Sequence, residues 1–291
     1  MTEAVDLHVH TTHSDGTSTP AAVVAGAIEA NLAAVAVTDH DTVAGIAEAL
    51  TAARERRVEV VPGVELSAEH EGVETHIVGL FIDPTNGPLA RALREKREGR
   101  RRRVAAMARR LAEARRPVDL EAVLAEVEPD SVSRMHLAEA MRRAGYVQDV
   151  QEAFYRWLSE TGPAYVPRRR FTVREACDLI RGAGGLPVLG HPEALTRKTL
   201  AQEAREGIAA VEAYSPGFAP GWSHRLRQWA RELDIGISGG SDYHGRPGEG
   251  APIGAIRVPM AYLEDLRRRC DIGAKRRDGE KGWSWDGHSA G

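Results

Sequence analysis

The chain has 291 residues, 28% of them charged, with a formal net charge of −3. That balance argues against general affinity for nucleic acid or membrane surfaces, and two cysteines, Cys177 and Cys270, exclude a disulfide framework or a Cys-rich structural zinc site. No apolar run approaches the ~20 residues of a membrane span, and the N-terminus lacks a basic-then-apolar signal pattern; a soluble, cytoplasmic protein is the expectation.

Residues 5–10 read as a first strand. Side chains two apart on a strand share a face, so His8 and His10 project together and can grip one metal ion. Leu7 and Val9 are expected to face the other way, into a core. Ser14-Asp15-Gly16 then reads as a turn that holds Asp15 just beyond. Ser18-Thr19-Pro20 opens a helix to about residue 31, with a hydroxyl cap and a proline in the first turn. Residues 34–38 form a short buried strand with Asp39-His40-Asp41 at its end. A helix over 43–57 and a strand over 58–66, carrying Glu65, follow. This alternation implies parallel strands with crossover helices. His8/His10, Asp39-His40-Asp41 and Glu65 all fall at C-terminal strand ends, where (β/α) barrels keep their active sites. A further strand at 75–80 carries His76 and is read as pairing with the strand of Glu65.

The pattern then changes. Between Arg91 and Arg116 stand twelve Lys/Arg against three Glu, with Val104, Met107, Ala108 and Leu111 on one helical face. Further helices are predicted at 120–127, 133–144 and 151–158. Residues 88–160 are thus read as a helical insertion, a cap over the mouth of a barrel made by 1–87 and 161–270. The arginine run is most simply a solvated helix face, with nucleic-acid contact the rarer reading. Alternation resumes with a helix at 174–183 and a strand at 186–189 that ends in Gly190-His191-Pro192. Strands at 209–213 and 235–238 follow, the second ending in Gly239-Gly240-Ser241-Asp242-Tyr243-His244-Gly245. A last strand is expected at 253–258, a last helix at 260–269, and a poorly ordered tail over 271–291, which includes Trp283 and Trp285.

The residues at these strand ends are His8, His10, Asp15, His40, Glu65, His76, His191, Asp242 and His244. Imidazole and carboxylate without sulfur suit Mn, Zn or Fe. Nine ligands exceed the four of a tetrahedral site, which points to a cluster of two or three divalent metal ions. Glu65, the carboxylate at the C-terminal end of the central strand, is the natural bridge. Metals about 3.5–4 Å apart serve phosphoester hydrolysis: they bind phosphoryl oxygens, acidify a bridging water and steady the departing oxygen. Asp6 and Asp39 are read as partners that orient imidazoles. His70, His224 and His288 are read as structural, and both cysteines as inert. Gly239-Gly240 lacks the helix context of a phosphate-binding loop and is read as a close backbone approach near the metals.

His8-x-His10 with Asp15, Thr38-Asp39-His40-Asp41, Pro62-Gly63-Val64-Glu65, Gly190-His191-Pro192 and Gly240-Ser241-Asp242-Tyr243-His244 resemble, in order, the motifs of the PHP (polymerase and histidinol phosphatase) family. The resemblance runs over the chain to Val258. The helical insertion, with Thr161-Gly162-Pro163-Ala164-Tyr165-Val166-Pro167 after it, resembles the stand-alone PHP phosphoesterases that act on nucleotides and short RNA. It implies an α/β fold, a distorted (β/α)7 barrel with an inserted helical cap. It also implies a division of ligands: His8, His10, Glu65 and Asp242 for a first metal; Glu65, His76 and His191 for a second; Asp15, His40 and His244 for a third. His13 is a rival for the place of Asp15. Arg134 and His136 resemble an Arg–Pro–His element of the nucleotide branch, with Met135 replacing the proline, and would contact phosphate. Arg168, Arg169 and Arg170 could reach a phosphate or ribose as well.

The expected activity is metal-dependent hydrolysis of phosphate esters. A metal-bridging hydroxide attacks phosphorus in line at the centre built on Glu65, and no side chain need be the nucleophile. A metal-bound water, or His191 or His244 through water, protonates the leaving oxygen. Expected substrates are AMP and other nucleotide monophosphates, 3′,5′-bisphosphate nucleotides, or the 5′ end of a short RNA. No membrane is implicated and no feature identifies a protein partner. Two alternatives stand beside this: a histidinol-phosphatase-like enzyme for small phosphates, and a non-catalytic PHP module that holds a partner. Modules of the latter kind commonly lose ligands, whereas every expected position is filled here.

Overall fold

The computed structural model describes residues 3–125, 132–167, 170–246 and 248–276. Arg168, Arg169, Trp283, Trp285 and His288 lie outside the described residues, as does the expected tail from 277 on. In chain order the elements are β1 (Ala4–Val9), α1 (Pro20–Glu29), β2 (Ala34–Val37), α2 (Ile46–Ala52), β3 (Glu59–His70) and β4 (Val73–Leu80). Then come α3 (Gly87–Glu113), α4 (Leu120–Ala125), α5 (Arg134–Arg143), α6 (Val150–Ala153) and a π-helical turn, Phe154–Leu158. The chain continues with β5 (Phe171–Thr172), α7 (Val173–Gly182), β6 (Leu186–Leu189), α8 (Arg197–Glu206) and β7 (Ala210–Tyr214). It finishes with α9 (Trp222–Glu232), β8 (Gly236–Gly239), β9 (Val258–Pro259) and α10 (Met260–Arg276). Among the described residues no helix is long and apolar enough to cross a membrane.

The chain divides into two compact units, Met1–Ala90 with Arg170–Gly291, and Arg91–Arg169. In the first, the strands run β8-β7-β6-β4-β3-β2-β1-β9, with β5 beside β3. The pairs β1–β2, β2–β3, β6–β7 and β7–β8 are parallel. β4 runs antiparallel to both neighbours, and β9 antiparallel to β1. The sheet curls until β1 meets the segment after β8: the Asp242 N–H donates to the His8 carbonyl and the His10 N–H to the Tyr243 carbonyl, each at 2.9 Å. Gly240 makes this seam possible, because a Cβ there would lie 2.4 Å from the His8 nitrogen. The expected distorted α/β barrel is therefore present, with the short β9 and, in mid-sheet, β4 reversed.

Local sequence explains the reversal of β4. β3 does not stop at residue 66 but continues to His70, where Glu71 (φ 50°) and Gly72 (φ 83°) turn the chain back into β4. Two central residues with positive φ are the two-residue turn that suits twisted hairpins. Glu65 consequently lies in mid-strand, opposite Val78, and His76 lies opposite Ser67 on the returning arm.

β1 departs from simple alternation as well. Its pairing with β2 slips between Asp6 and Val9, where β1 spends three residue steps against two in β2. An extra residue of this kind re-aims the side chains after it. Val5 and Leu7 pack in one apolar cluster with Val61 and Val78, on the strand faces that also carry Glu65 and His76. Leu7 is therefore not turned away from His8, as strict alternation requires; both serve the barrel interior. Leu263 and Leu266 of α10 join the same cluster.

Caps fix the helices. Thr19 accepts from Ala22 N–H ahead of Pro20 at the start of α1, and Thr172 with Glu175 forms a reciprocal capping box on α7. α8 and α9 escape a periodicity reading because their fully buried stripes are thin, Leu200 with Glu203 and Leu226 with Ala230. The expected strand at 253–258 reduces to Val258–Pro259, since Gly254 N–H is spent on Asp6 Oδ2. α10 extends to Arg276, past the expected end at 269.

In the second unit, Val104, Met107, Ala108 and Leu111 of α3 are all buried, against Leu137, Met141 and Leu158 among others. Ala164 and Val166 belong to this core, and the carbonyls of Tyr165 and Val166 are held by Arg110 and Arg103. That is why the unit reaches beyond residue 160 to Arg169.

Candidate metal centre

Glu65 is the hub. It is buried in the middle of β3, and its two oxygens face different sets of imidazoles. Oε1 lies 2.8 Å from His76 Nδ1 and 3.2 Å from His191 Nε2. Oε2 lies 3.0 Å from His40 Nδ1, 3.2 Å from His10 Nε2 and 3.3 Å from His8 Nε2. Asp242 Oδ1 stands 3.2 Å from His10 Nε2 and 3.5 Å from His8 Nε2. Asp15 reaches His244 Nε2 at 3.5 Å, and His10 Nδ1 and His40 Nε2 at 3.7 Å.

All nine side chains singled out from the sequence thus converge at one end of the barrel. They fall into overlapping groups whose donor atoms lie within 4.8 Å of one another: His8, His10, Asp242; His8, Glu65, His191; His40, Glu65, His76; and His10, Asp15, His40, His244. Among the described residues it is Asp15, and not His13, that stands in such a group.

The elements deliver these groups at some backbone cost. His191, just after β6, has φ 23°, and Asp242, after β8, has φ 50°. Positive φ is uncommon away from glycine, and such outliers cluster at functional sites. Hydrogen bonds hold both in place: His191 N–H donates to Glu212 Oε2 at 2.7 Å, and Asp242 N–H donates to the His8 carbonyl.

The arrangement fits cations better than hydrogen bonds. Glu65 Oε2, His10 Nδ1 and Asp15 Oδ1 are buried without a hydrogen bond among the described residues. Three imidazole nitrogens crowd Oε2, and His8 Nε2 stands only 3.1 Å from His10 Nε2. Ring nitrogens aimed at one another and at carboxylate oxygens are what a shared ion would organise. Electrostatics agree. Burial alone would raise the Glu65 carboxyl, but His40, His76 and His8 overcome it and hold it well below the usual range. Burial would depress His8; Glu212, Glu65 and Asp242 reverse that and raise it well above its ordinary value. Burial is likewise outweighed at His10, raised to about 9 by Asp242 and Glu65, and at His76, raised to about 10 chiefly by Glu65. At His40 burial wins and brings it to about 4. The cluster is therefore a carboxylate-rich interior that draws positive charge.

Asp6 and Asp39 do something other than orient rings. Asp6 accepts from Ser241 N–H at 2.8 Å and Gly254 N–H at 3.0 Å. Asp39 accepts from Thr11 N–H, Thr11 Oγ and Ser14 Oγ at 2.6–2.8 Å. Each pins the backbone of a loop that carries a ligand candidate. Ring orientation falls to Glu212, which the sequence reading passed over: its Oε1 accepts from His8 Nδ1 at 2.9 Å. The signal available was a carboxylate between Val211 and Ala213 inside an apolar strand, as Glu65 stands between Val64 and Leu66.

Of the residues expected to contact phosphate, Arg134 and His136 belong to the helical unit and Arg170 to the first unit. Arg134 donates to the Leu158 carbonyl at 3.2 Å and lies over the rings of Phe154 and Tyr165. His136 Nδ1 accepts from Ser133 N–H at 3.0 Å in the capping box of α5. Arg170 pairs with Glu69 at 3.0 Å and Glu74 at 2.9 Å, across the β3–β4 arm.

Comparison with known proteins agrees with this geometry. The family model for the PHP domain matches residues 6–213. The 5′-3′ exoribonuclease Rnm of Escherichia coli (strain K12) is 34% identical over 247 residues, 82% of this chain and 84% of that one. A 3′,5′-nucleoside bisphosphate phosphatase of Chromobacterium violaceum is 33% identical, over 91% of this chain and 93% of its own. A solved Bifidobacterium adolescentis structure, described as that of a metal-dependent phosphoesterase, superposes with a TM-score of 0.77 at 30% identity, covering 92% of this chain and 96% of that one.

Proposed function

The chain belongs to the PHP domain family, and from that membership we propose a hydrolase that cleaves phosphate monoesters of nucleotides, AMP and 3′,5′-bisphosphates among them, and nucleotides from the 5′ end of short RNA. The observation that carries the reading is the convergence of imidazoles on both oxygens of Glu65.

Two or three divalent cations, Mn, Zn or Fe, would be held in the divisions the family resemblance implies. His8, His10, Asp242 and Glu65 serve one; Glu65, His76 and His191 a second; Asp15, His40 and His244 a third. Bound there, they supply Lewis acidity toward phosphoryl oxygens and acidify water. The chain's own residues set the stage. Glu65 divides its oxygens between two imidazole sets and so ties the positions together. His244 is oriented by the Asp242 carbonyl, 2.8 Å from its Nδ1, which leaves Nε2 toward Asp15. The leaving oxygen would take its proton from water, directly or through His191 or His244. Arg134 carries the positive charge for a phosphate and retains guanidinium donors beyond the one spent on Leu158, while His136, whose Nδ1 accepts from the Ser133 N–H, would offer a neutral ring N–H beside it.

The test is a product time course with added Mn²⁺ on 5′-phosphorylated oligoribonucleotides, adenosine 3′,5′-bisphosphate, AMP and histidinol phosphate, beside a generic aryl phosphate. Release of phosphate or 5′-nucleotides from the first three is expected, and Glu65→Ala should abolish it while leaving the fold largely intact. Turnover of histidinol phosphate or sugar phosphates alone would overturn the nucleotide assignment.

A further inference from the structure

We propose that Glu212 is a positioning residue that couples two ligand groups, setting the tautomer of His8 and the backbone of His191 at once. The inference rests on the cation reading given above.

Glu212 is buried in β7, and each of its oxygens has one donor. Oε1 lies 2.9 Å from His8 Nδ1, and with the carboxylate oxygen as acceptor the proton of that contact stands on Nδ1. In the neutral ring the lone pair then resides on Nε2. That is the atom aimed at Glu65 Oε2, Asp242 Oδ1 and His10 Nε2. A ring of the opposite tautomer would present a proton to the ligand group and could not ligate.

The second oxygen works on main chain. Oε2 accepts from His191 N–H at 2.7 Å. His191 is held there at φ 23°, a conformation a histidine rarely adopts unaided. With the backbone so fixed, its Nε2 comes to 3.2 Å from Glu65 Oε1 and 3.2 Å from His76 Nδ1. β7 slips against β8 immediately after Glu212, spending two steps from Glu212 to Tyr214 against one from Ser238 to Gly239. Slips of this kind re-aim side chains beside active sites. One carboxylate therefore serves His8, on the Oε2 side of Glu65, and His191, on its Oε1 side. Removing it disturbs both cation positions together.

Glu212→Gln keeps the shape but turns an NH2 toward one of the two donors. Full-length wild type and E212Q are compared by calorimetric Mn²⁺ titration, by metal content after dialysis, and by urea denaturation of the metal-free chains. Expected is a 10–100-fold loss of affinity at two positions together, with a urea midpoint close to wild type. A variant-independent readout is the ¹⁵N-histidine spectrum of the Zn²⁺-loaded wild type, where His8 should show a protected proton on Nδ1. Equal Mn²⁺ affinity and stoichiometry in E212Q, or a His8 that carries its proton on Nε2, overturns the inference alone. A wild type that takes up no cation overturns it together with the reading beneath it.

Discussion

Gly240→Ala puts a single methyl into the seam that closes the barrel. Its Cβ would meet the His8 nitrogen at 2.4 Å, His8 Cβ at 2.6 Å and Asp6 Oδ1 at 2.8 Å. Carbon atoms in ordinary contact sit ~3.5–4.0 Å apart, so the seam must open by roughly 1 Å. Two of the obstructing atoms are main chain or rigidly attached to it, so no side-chain rotation relieves the clash. Overpacking of this kind costs ~1–3 kcal/mol, which a domain stable by ~5–15 kcal/mol survives. Activity should suffer more. A misplacement of ~1 Å costs on the order of 100-fold, and His8 is displaced along with the strand that carries it. Urea denaturation gives the stability change, and kcat on AMP at saturating Mn²⁺ gives the catalytic one. Gly182→Ala, where nothing lies within 4 Å of the new methyl, is the control and should hold kcat while gaining up to ~1 kcal/mol. A folded G240A protein with kcat within about twofold of wild type would refute the claim that the seam positions His8.

Glu203 offers a pH test away from the site. It is buried in α8, and burial, with repulsion from Glu206, holds its carboxyl up at about 7 against an ordinary 4.5. The folded chain keeps this proton to higher pH than the unfolded chain does. Its contribution is therefore intact below pH 4.5 and is lost as pH rises toward 7, by up to ~3 kcal/mol. E203Q should be more stable than wild type at pH 8 and nearly equal at pH 4.5 by urea titration; parallel curves at all pH values would refute this. Chelation with EDTA should lower the thermal midpoint of metal-loaded protein by about 5–10 °C if the cation is held at ~100 times its Kd; an unchanged midpoint would count against the cluster. Asp39→Ala leaves the buried Thr11 N–H and hydroxyl without their acceptor and should cost ~1–3 kcal/mol, with weaker activity from the loosened Asp15 loop; Asp39→Asn should recover part of both.

The nine converging side chains were legible because their chemistry is wrong for the places they occupy. Imidazoles and carboxylates at the ends of Val- and Ala-rich strands have no structural reason to be there. The barrel class followed from the same alternation. What could not be read was direction and phase. In β1 the alternation runs unbroken through Leu7-His8-Val9-His10, yet the extra residue changes which face each serves. Glu65 looked terminal because Leu66 ends the apolar run, whereas strand pairing with β4 carries β3 on to His70. Asp6 and Asp39 resemble ring partners by type, but their oxygens go to backbone and hydroxyl donors that only tertiary structure brings near. Glu212 shows in sequence only as a carboxylate in an apolar strand, because its partners, the His8 ring and the His191 backbone, lie 204 and 21 positions away.

The seam also fixes when the centre can exist during synthesis. Asp6 and Ser241, which meet there, are separated by 235 positions, and the helical unit is made in between. At ~5–20 residues per second, His8 and His10 leave the ribosome about 10–50 s before Asp242 does. A chain translated only as far as β7 holds His8, His10 and Glu65 without Asp242 and His244, so the donor set is complete only once the segment after β8 has emerged. The two ends of the seam, drawn from opposite ends of the first unit, therefore meet only after the helical unit between them has been made.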